Sequence, residues 1–450
     1  MGYMRAGRLM FTAIGVCGAV APAVASSWGV SPMRAVQAIT APGWQVEAIP
    51  AARVIEPVGL SFDAVGHAMV TWEGSCGSSC GGKEPPVEAG VREPAGGWHQ
   101  VPNPPIQSSD ARTYLYGNGL AQQIGSVVVG SRFQVLAADG TIRGNFATPQ
   151  VLDANGEQAV SVADTAGDAI VAWRHAMGRG GTRIAERTHG HPFSTPRTFA
   201  GTGFPLAMAL GARGDRVLVW PSRAALYTRI RRPGGQWGSP HVAVRLPRGA
   251  GAPLVSAAIN PSGTVVLAWE ASAGGCEFCP YPLRAGVAES NGASWNTFTI
   301  ERPVAASHLN LSARIVTLVD TAGGTYVVWN GVSHGAAAVK LARVGKHGMG
   351  ATTVVSAGVR PATLAGAAAG PRSALAVSWI STTMTIAPAH VYVSVSRGGL
   401  AFAAPTQVAS GSLHAGSGLV AFQPITGQPV VVSDVAGALQ PLQAAVGPPG

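Results

Sequence analysis

The feature that most constrains this chain is a motif that returns along nearly its whole length. A short apolar stretch leads to Asp or Asn, two more residues and Gly. An alternating apolar stretch follows and ends in Trp six residues beyond the Gly. The clearest copies are Asp63-Ala64-Val65-Gly66 with Trp72, Asp164-Thr165-Ala166-Gly167 with Trp173, Asn260-Pro261-Ser262-Gly263 with Trp269, and Asp320-Thr321-Ala322-Gly323 with Trp329. Gly214 with Trp220 keeps the six-residue offset without the acid. Gly125 with Ser131 and Gly427 with Ser433 read as degenerate copies, and a further copy reads as stretched by three residues between Gly370 and Trp379. Asp or Asn at the first position and Gly at the fourth is the composition of a tight turn: the side chain accepts from backbone N–H groups, and Gly takes the left-handed dihedrals. The alternation after it is that of a strand with two different faces, and the even offset puts every Trp on the same face.

A second half-motif follows each copy. A strand such as Ala285-Gly286-Val287 runs into a Gly-rich turn, then an aromatic residue, and in several copies a Pro three residues later: Phe146 with Pro149, Phe193 with Pro196, Trp237 with Pro240, Phe402 with Pro405. Pro cannot donate to a β ladder, so this last strand belongs at a sheet edge. The turn glycines recur about every 52 residues, a spacing that fits propeller blades or helical repeats. The turn chemistry and the lack of a 3.6-residue period exclude the helical option. The expectation is an all-β chain, a β-propeller of about eight four-stranded blades, or seven if the copy near Gly125 is not a blade. The N-terminal strand near Trp44 would complete the last blade and close the ring.

The unit resembles that of secreted bacterial propeller-repeat proteins, loosely called sialidase-like, over roughly residues 41–446. The Asp-box of sialidases is Ser-x-Asp-x-Gly-x-Thr-Trp. Ser61, Asp63 and Trp72 echo it, but Gly66 comes one residue late and Trp72 four late. The resemblance therefore implies the fold and not the activity.

Glycine (60 residues) and proline (33) are abundant in a chain of 450, and charged residues are only 12%, a composition of many short strands and turns. The net charge is +10. The basic residues are nearly all Arg, the lysines being Lys83, Lys340 and Lys346. They are scattered rather than clustered, which argues against a nucleic-acid partner. Arg5 and Arg8, the apolar run Leu9 to Val20 and Ala23-Val24-Ala25 have the layout of a signal peptide over residues 1–25, cleaved before Ser26. Residues 26–40 read as a linker, 41–446 as the repeat domain and 447–450 as a tail. The expectation is a secreted, monomeric protein without a membrane span once the signal is removed.

Beyond the signal, the cysteines form two close pairs, Cys76 with Cys80 and Cys276 with Cys279. Each pair sits in a segment after Trp-Glu, where the distance to the next Trp of the unit is 26 residues (72 to 98, 269 to 295) against 17 in the undecorated unit from Trp220 to Trp237. In an exported protein these read as two local disulfides. Zinc ligation and free or redox-active thiols are the other readings of four such cysteines. In a ring of eight, the decorated first and fifth units face each other, too far apart for Glu73 and Glu270 to work as one glycosidase pair. Glu73, Arg174, His175, Glu270 and Asn330, which follow the strand-ending tryptophans, mark the face where a ligand would lie. His189-Gly190-His191 lacks a nearby acid cluster. No pattern calls for a metal or cofactor, and none is a catalytic signature. The sequence thus points to a non-enzymatic binding or scaffold propeller for a glycan, an envelope polymer or a protein. The alternative is a sialidase-like carbohydrate-active hydrolase or lyase.

Overall fold

In the computed structural model, the described residues are 42–450 apart from 52–53, 75–85, 109–110, 130–131, 176–180, 200–202, 223–224, 247–252, 271–282, 289–293, 302–314, 383–388, 412–417 and 435–441. They belong to the compact unit 38–450. The signal-peptide and linker segments and all five cysteines lie outside the described residues. No described helix is long and apolar enough to cross a membrane.

The strands form eight sheets, each of four antiparallel strands. In seven of them the strands follow chain order from one side of the blade to the other. The first strands are Val54–Phe62, Arg112–Tyr116, Gly156–Ala163, Ala207–Leu210, Leu254–Ile259, Ile315–Val319 and Thr363–Ala369. The eighth sheet runs Gly418–Phe422, Pro429–Ser433, Gln443–Val446 and finally Gln45–Ala48, so the N-terminal strand supplies its outer edge. Each first strand touches that of a neighbouring blade, including first against last, and the ring is closed. The protein is an eight-bladed β-propeller.

The turn chemistry is as expected in most blades. Asp63 Oδ1 accepts from the N–H groups of Val65 (3.1 Å) and His67 (2.9 Å), and Asp320 Oδ1 from those of Ala322 (2.9 Å) and Gly324 (2.7 Å). The turn glycines Gly66, Gly167, Gly214, Gly263 and Gly323 all have φ between +82° and +93°. Pro149, Pro196, Pro240 and Pro405 each stand immediately before a fourth, edge strand.

Two of the weaker copies need correction. Gly125 is not a turn glycine: it lies inside the strand Leu120–Val129, and the turn of the second blade is Gly117-Asn118-Gly119. Counting six residues from Gly119 reaches Gly125 itself, which therefore occupies the tryptophan position. In the seventh blade Gly370 does not take the left-handed conformation (φ −119°). The turn is Gly370-Pro371-Arg372-Ser373, closed by Gly370 N–H to Ala374 O (2.8 Å), and Ser373 takes the glycine position with φ +59°. Trp379 then follows at the usual offset, and the apparent stretch disappears.

The core is divided among the seams between blades. Trp72, Trp173, Trp329 and Trp379 are among the largest fully buried side chains. Each packs on the blade before its own: Trp72 against Val430 and Val432, Trp173 against Ile124 and Val135, Trp329 against Val266 and Val287, Trp379 against Val328 and Leu341. Trp220 and Trp269 do the same at the next two seams. A ring of about 200 Å² leaves water at each.

Candidate functional site

The second strand of a blade begins at the Asp-x-x-Gly turn on one face of the ring and ends, after its Trp, on the other. Glu73, Arg174, His175, Glu270 and Asn330 therefore share this second face. The structure gives them different surroundings.

His175 belongs to a constructed cluster. Its Nδ1 lies 2.9 Å from Oδ2 of Asp153, the last residue of the fourth strand of the preceding blade. The same oxygen accepts from Trp173 Nε1 (2.7 Å) and Arg183 Nη1 (2.9 Å), while Oδ1 accepts from the Asn155 N–H (2.9 Å). The Asp153 side chain is 3% exposed. Burial works to raise its pKa, but the hydrogen bonds from Trp173, Asn155 and His175 and the charge of Arg183 outweigh it and hold the carboxyl below its ordinary value. A fixed carboxylate on Nδ1 orients the ring and points Nε2 away from Asp153. Arg174, one residue earlier on the strand, belongs to its other face, in register with Thr182 and Glu157; its guanidinium is about half exposed and stands 3.6 Å from Glu157. Glu157 is its register partner on the first strand, beside the axis.

The other candidates do not join this cluster. The Asn330 carbonyl oxygen accepts from the Leu364 N–H (2.6 Å), tying the sixth blade to the inner strand of the seventh. Glu73 and Glu270 lie in the first and fifth blades, on opposite sides of the ring. The Glu270 carboxyl is raised above its ordinary range, first by burial and then by the charge of Glu301. Glu301 is the counterpart of Asp153 three blades on. It too ends a fourth strand, and it accepts from Trp329 Nε1 of the next blade and from Lys340 Nζ (2.7 Å). Lys340 pairs in register with Trp329 as Arg183 does with Trp173.

Asp153 and Arg183 escaped the sequence reading because they come from different strands, 22 and 8 residues from His175 in the chain. The signal was present in Asp153-Ala154-Asn155-Gly156, a turn composition immediately before an inner strand. Among the described residues, the first strands contain a single arginine, Arg112. Among them too, no group of three His, Cys, Asp or Glu side chains could hold a metal ion.

No family model matches the sequence, and no curated protein sequence matches it. Solved structures do. A polysaccharide lyase of the ulvan lyase type, solved with and without the oligosaccharide -[GlcA(1-4)Rha3S]-, aligns over 90% of this chain and 97% of its own, with a TM-score of 0.50 and 12% identity. A streptogramin B lyase aligns over 89% of this chain and 97% of its own (TM-score 0.43, 11% identity). A puromycin hydrolase aligns over 85% of this chain and 58% of its own (TM-score 0.47, 12% identity). At such identities the likeness is one of fold. The propeller scaffold is shared with the ulvan lyase, and a shared scaffold does not carry an activity over.

Proposed function

We propose that the protein is an exported binding propeller that holds a glycan on the face where its tryptophan strands end. The observation that carries this reading is the His175 cluster. A buried carboxylate locks the imidazole through Nδ1, and the half-exposed Arg174 guanidinium, one residue earlier at the same strand end, answers an acidic group on the sugar. Such preorganised polar groups on a rigid strand end are what a glycan site requires. Export follows from the layout of residues 1–25, and N-terminal sequencing of the mature protein beginning at Ser26 is the expected result. On an array of neutral and acidic glycans, the purified chain is expected to bind acidic members. Arg174→Ala and His175→Ala should each weaken that binding about tenfold. An array with no binding by the parent, or binding indifferent to both substitutions, rejects the proposal.

A second reading has its own support in His175 Nε2, the ring nitrogen that does not bond to Asp153. In a uronate-containing polysaccharide, Nε2 would take the proton from the carbon α to the carboxylate. The electron pair forms the carbon–carbon double bond as the glycosidic oxygen on the β carbon leaves and takes a proton from solvent water. A lyase with the same fold was solved with an acidic oligosaccharide of this kind. Incubation with uronate polysaccharides should then generate the ultraviolet absorbance of an unsaturated uronate, lost in His175→Ala. Binding without that absorbance leaves the first reading alone.

A further inference from the structure

On the opposite face, where the Asp-x-x-Gly turns lie, a cleft of about 540 Å³ opens between the fifth and sixth blades. One wall is the turn Asn260–Thr264 of the fifth blade. The other is Gly323–Thr325 together with the hairpin that joins the third and fourth strands of the sixth blade, Ala336–Gly345 and Gly348–Val354. The volume is that of sites for small organic ligands.

The composition of its lining is uneven in a way that selects a ligand. Arg343, Lys346 and His347 line it, and among the described residues no acidic side chain does. Lys346 is one of only three lysines in the chain. Of the described acids, the one beside this wall is Asp320, and it is already committed. Asp320 is buried and bonded to Tyr326 Oη (2.9 Å) and to the Gly324 N–H. The Tyr326 hydroxyl in turn feels the charge of Arg343. Across the fifth-blade turn, Arg213 and Arg232 add positive charge, both paired with Asp215. Five of the lining residues are glycines, so the backbone is open to close approach by a ligand. Ser262, Thr264, Thr325, Val266, Val287 and Val344 complete the lining, and Ser262 Oγ donates to Asn260 Oδ1 (2.6 Å) and lies 3.1 Å from Thr264 Oγ1.

From this we infer that the cleft is a binding site for a small sugar-sized molecule bearing a phosphate or sulfate ester, with Arg343 and Lys346 holding the oxyanion and the lining hydroxyls facing the sugar. The site is separate from the His175 face and does not depend on what that face binds. Both cations are exposed, so each contributes a screened charge.

The test uses the full mature chain and calorimetric titration with glucose 6-phosphate, glucose and inorganic phosphate at low and at physiological salt. Glucose 6-phosphate is expected to bind more tightly than either fragment and to weaken as salt rises. Arg343→Ala and Lys346→Ala are each expected to weaken it about tenfold. Both are surface substitutions, and unchanged circular dichroism will show that the ring is intact. Arg174→Ala should leave this binding untouched, which separates failure here from failure of the glycan reading. No binding of glucose 6-phosphate, equal binding by the two variants and the parent, or glucose or phosphate alone binding as well as the ester would each overturn the assignment.

Discussion

Two carboxyl groups near the face where the tryptophan strands end are driven in opposite directions, and the contrast can be measured. Asp153 is buried, but four donors converge on it, so its pKa lies below that of an unfolded aspartate. A depressed carboxyl contributes stability above its unfolded pKa and loses it as pH falls toward the folded value. Asp153→Ala leaves Arg183 and the Trp173 indole N–H without their acceptor, and should cost about 3–5 kcal/mol in urea unfolding at neutral pH, with the deficit shrinking in acid. Glu270 is the reverse case. Burial and the neighbouring Glu301 raise its pKa, so the folded state carries a penalty that grows as pH rises from the unfolded carboxyl value through the raised one. Glu270→Gln should therefore raise the melting temperature at neutral pH and have little effect near pH 4, where the unfolded carboxyl is itself largely protonated. A melting temperature that falls at neutral pH would contradict this account.

At the scale of the blade, the turn and the tryptophan position act as one unit, and departures from the pattern have local causes. Ser373 fills the glycine place of its turn with φ +59°, a conformation that disfavours any residue with a Cβ. Ser373→Gly should stabilise the chain by about 0.5–1 kcal/mol in thermal or urea unfolding, and a loss would mean that the Ser373 side chain has a role that its turn does not show. Gly125 fills a tryptophan position because the backbone of Ala111 stands where a side chain would begin, its Cα only 2.6 Å from the point a Cβ would occupy. These two blades explain what could be read in the sequence. The strands, the turns with Asp or Asn and Gly, the edge prolines and the ring of eight follow from short-range rules, so they were legible. The register of the second and seventh blades was not, because a Gly inside a strand and a Ser in a left-handed turn both contradict local preference. The site was legible in half: His175 and Arg174 mark themselves by following a Trp, while Asp153 is brought to His175 only by the docking of one blade on the next.

Over the whole molecule, scarce charge is placed mainly between blades. Glu186 of the third blade meets Arg216 and Arg231 of the fourth, Arg187 of the third meets Asp139 of the second, and Glu301 of the fifth meets Lys340 of the sixth. The ring's own closure uses the same device. Arg92 of the first blade donates to both oxygens of Glu47 (2.8 and 2.9 Å), and Glu47 lies on the N-terminal strand that completes the eighth. That strand pairs along its length with Gln443–Val446, and without it an unpaired edge would face solvent. Deleting residues 42–48 removes the pairing, the Trp44 contact with the seam between the seventh and eighth blades, and the partner of a buried arginine. The truncated chain should melt well below the parent and form larger species on size exclusion, through edge-to-edge pairing. A synthetic peptide spanning residues 42–51 should restore both properties by reoccupying the edge, whereas the same peptide with Glu47→Ala should restore them less well. If the truncated chain melts with the parent, closure by this strand is not what holds the ring, and the eight seams would have to be sufficient by themselves.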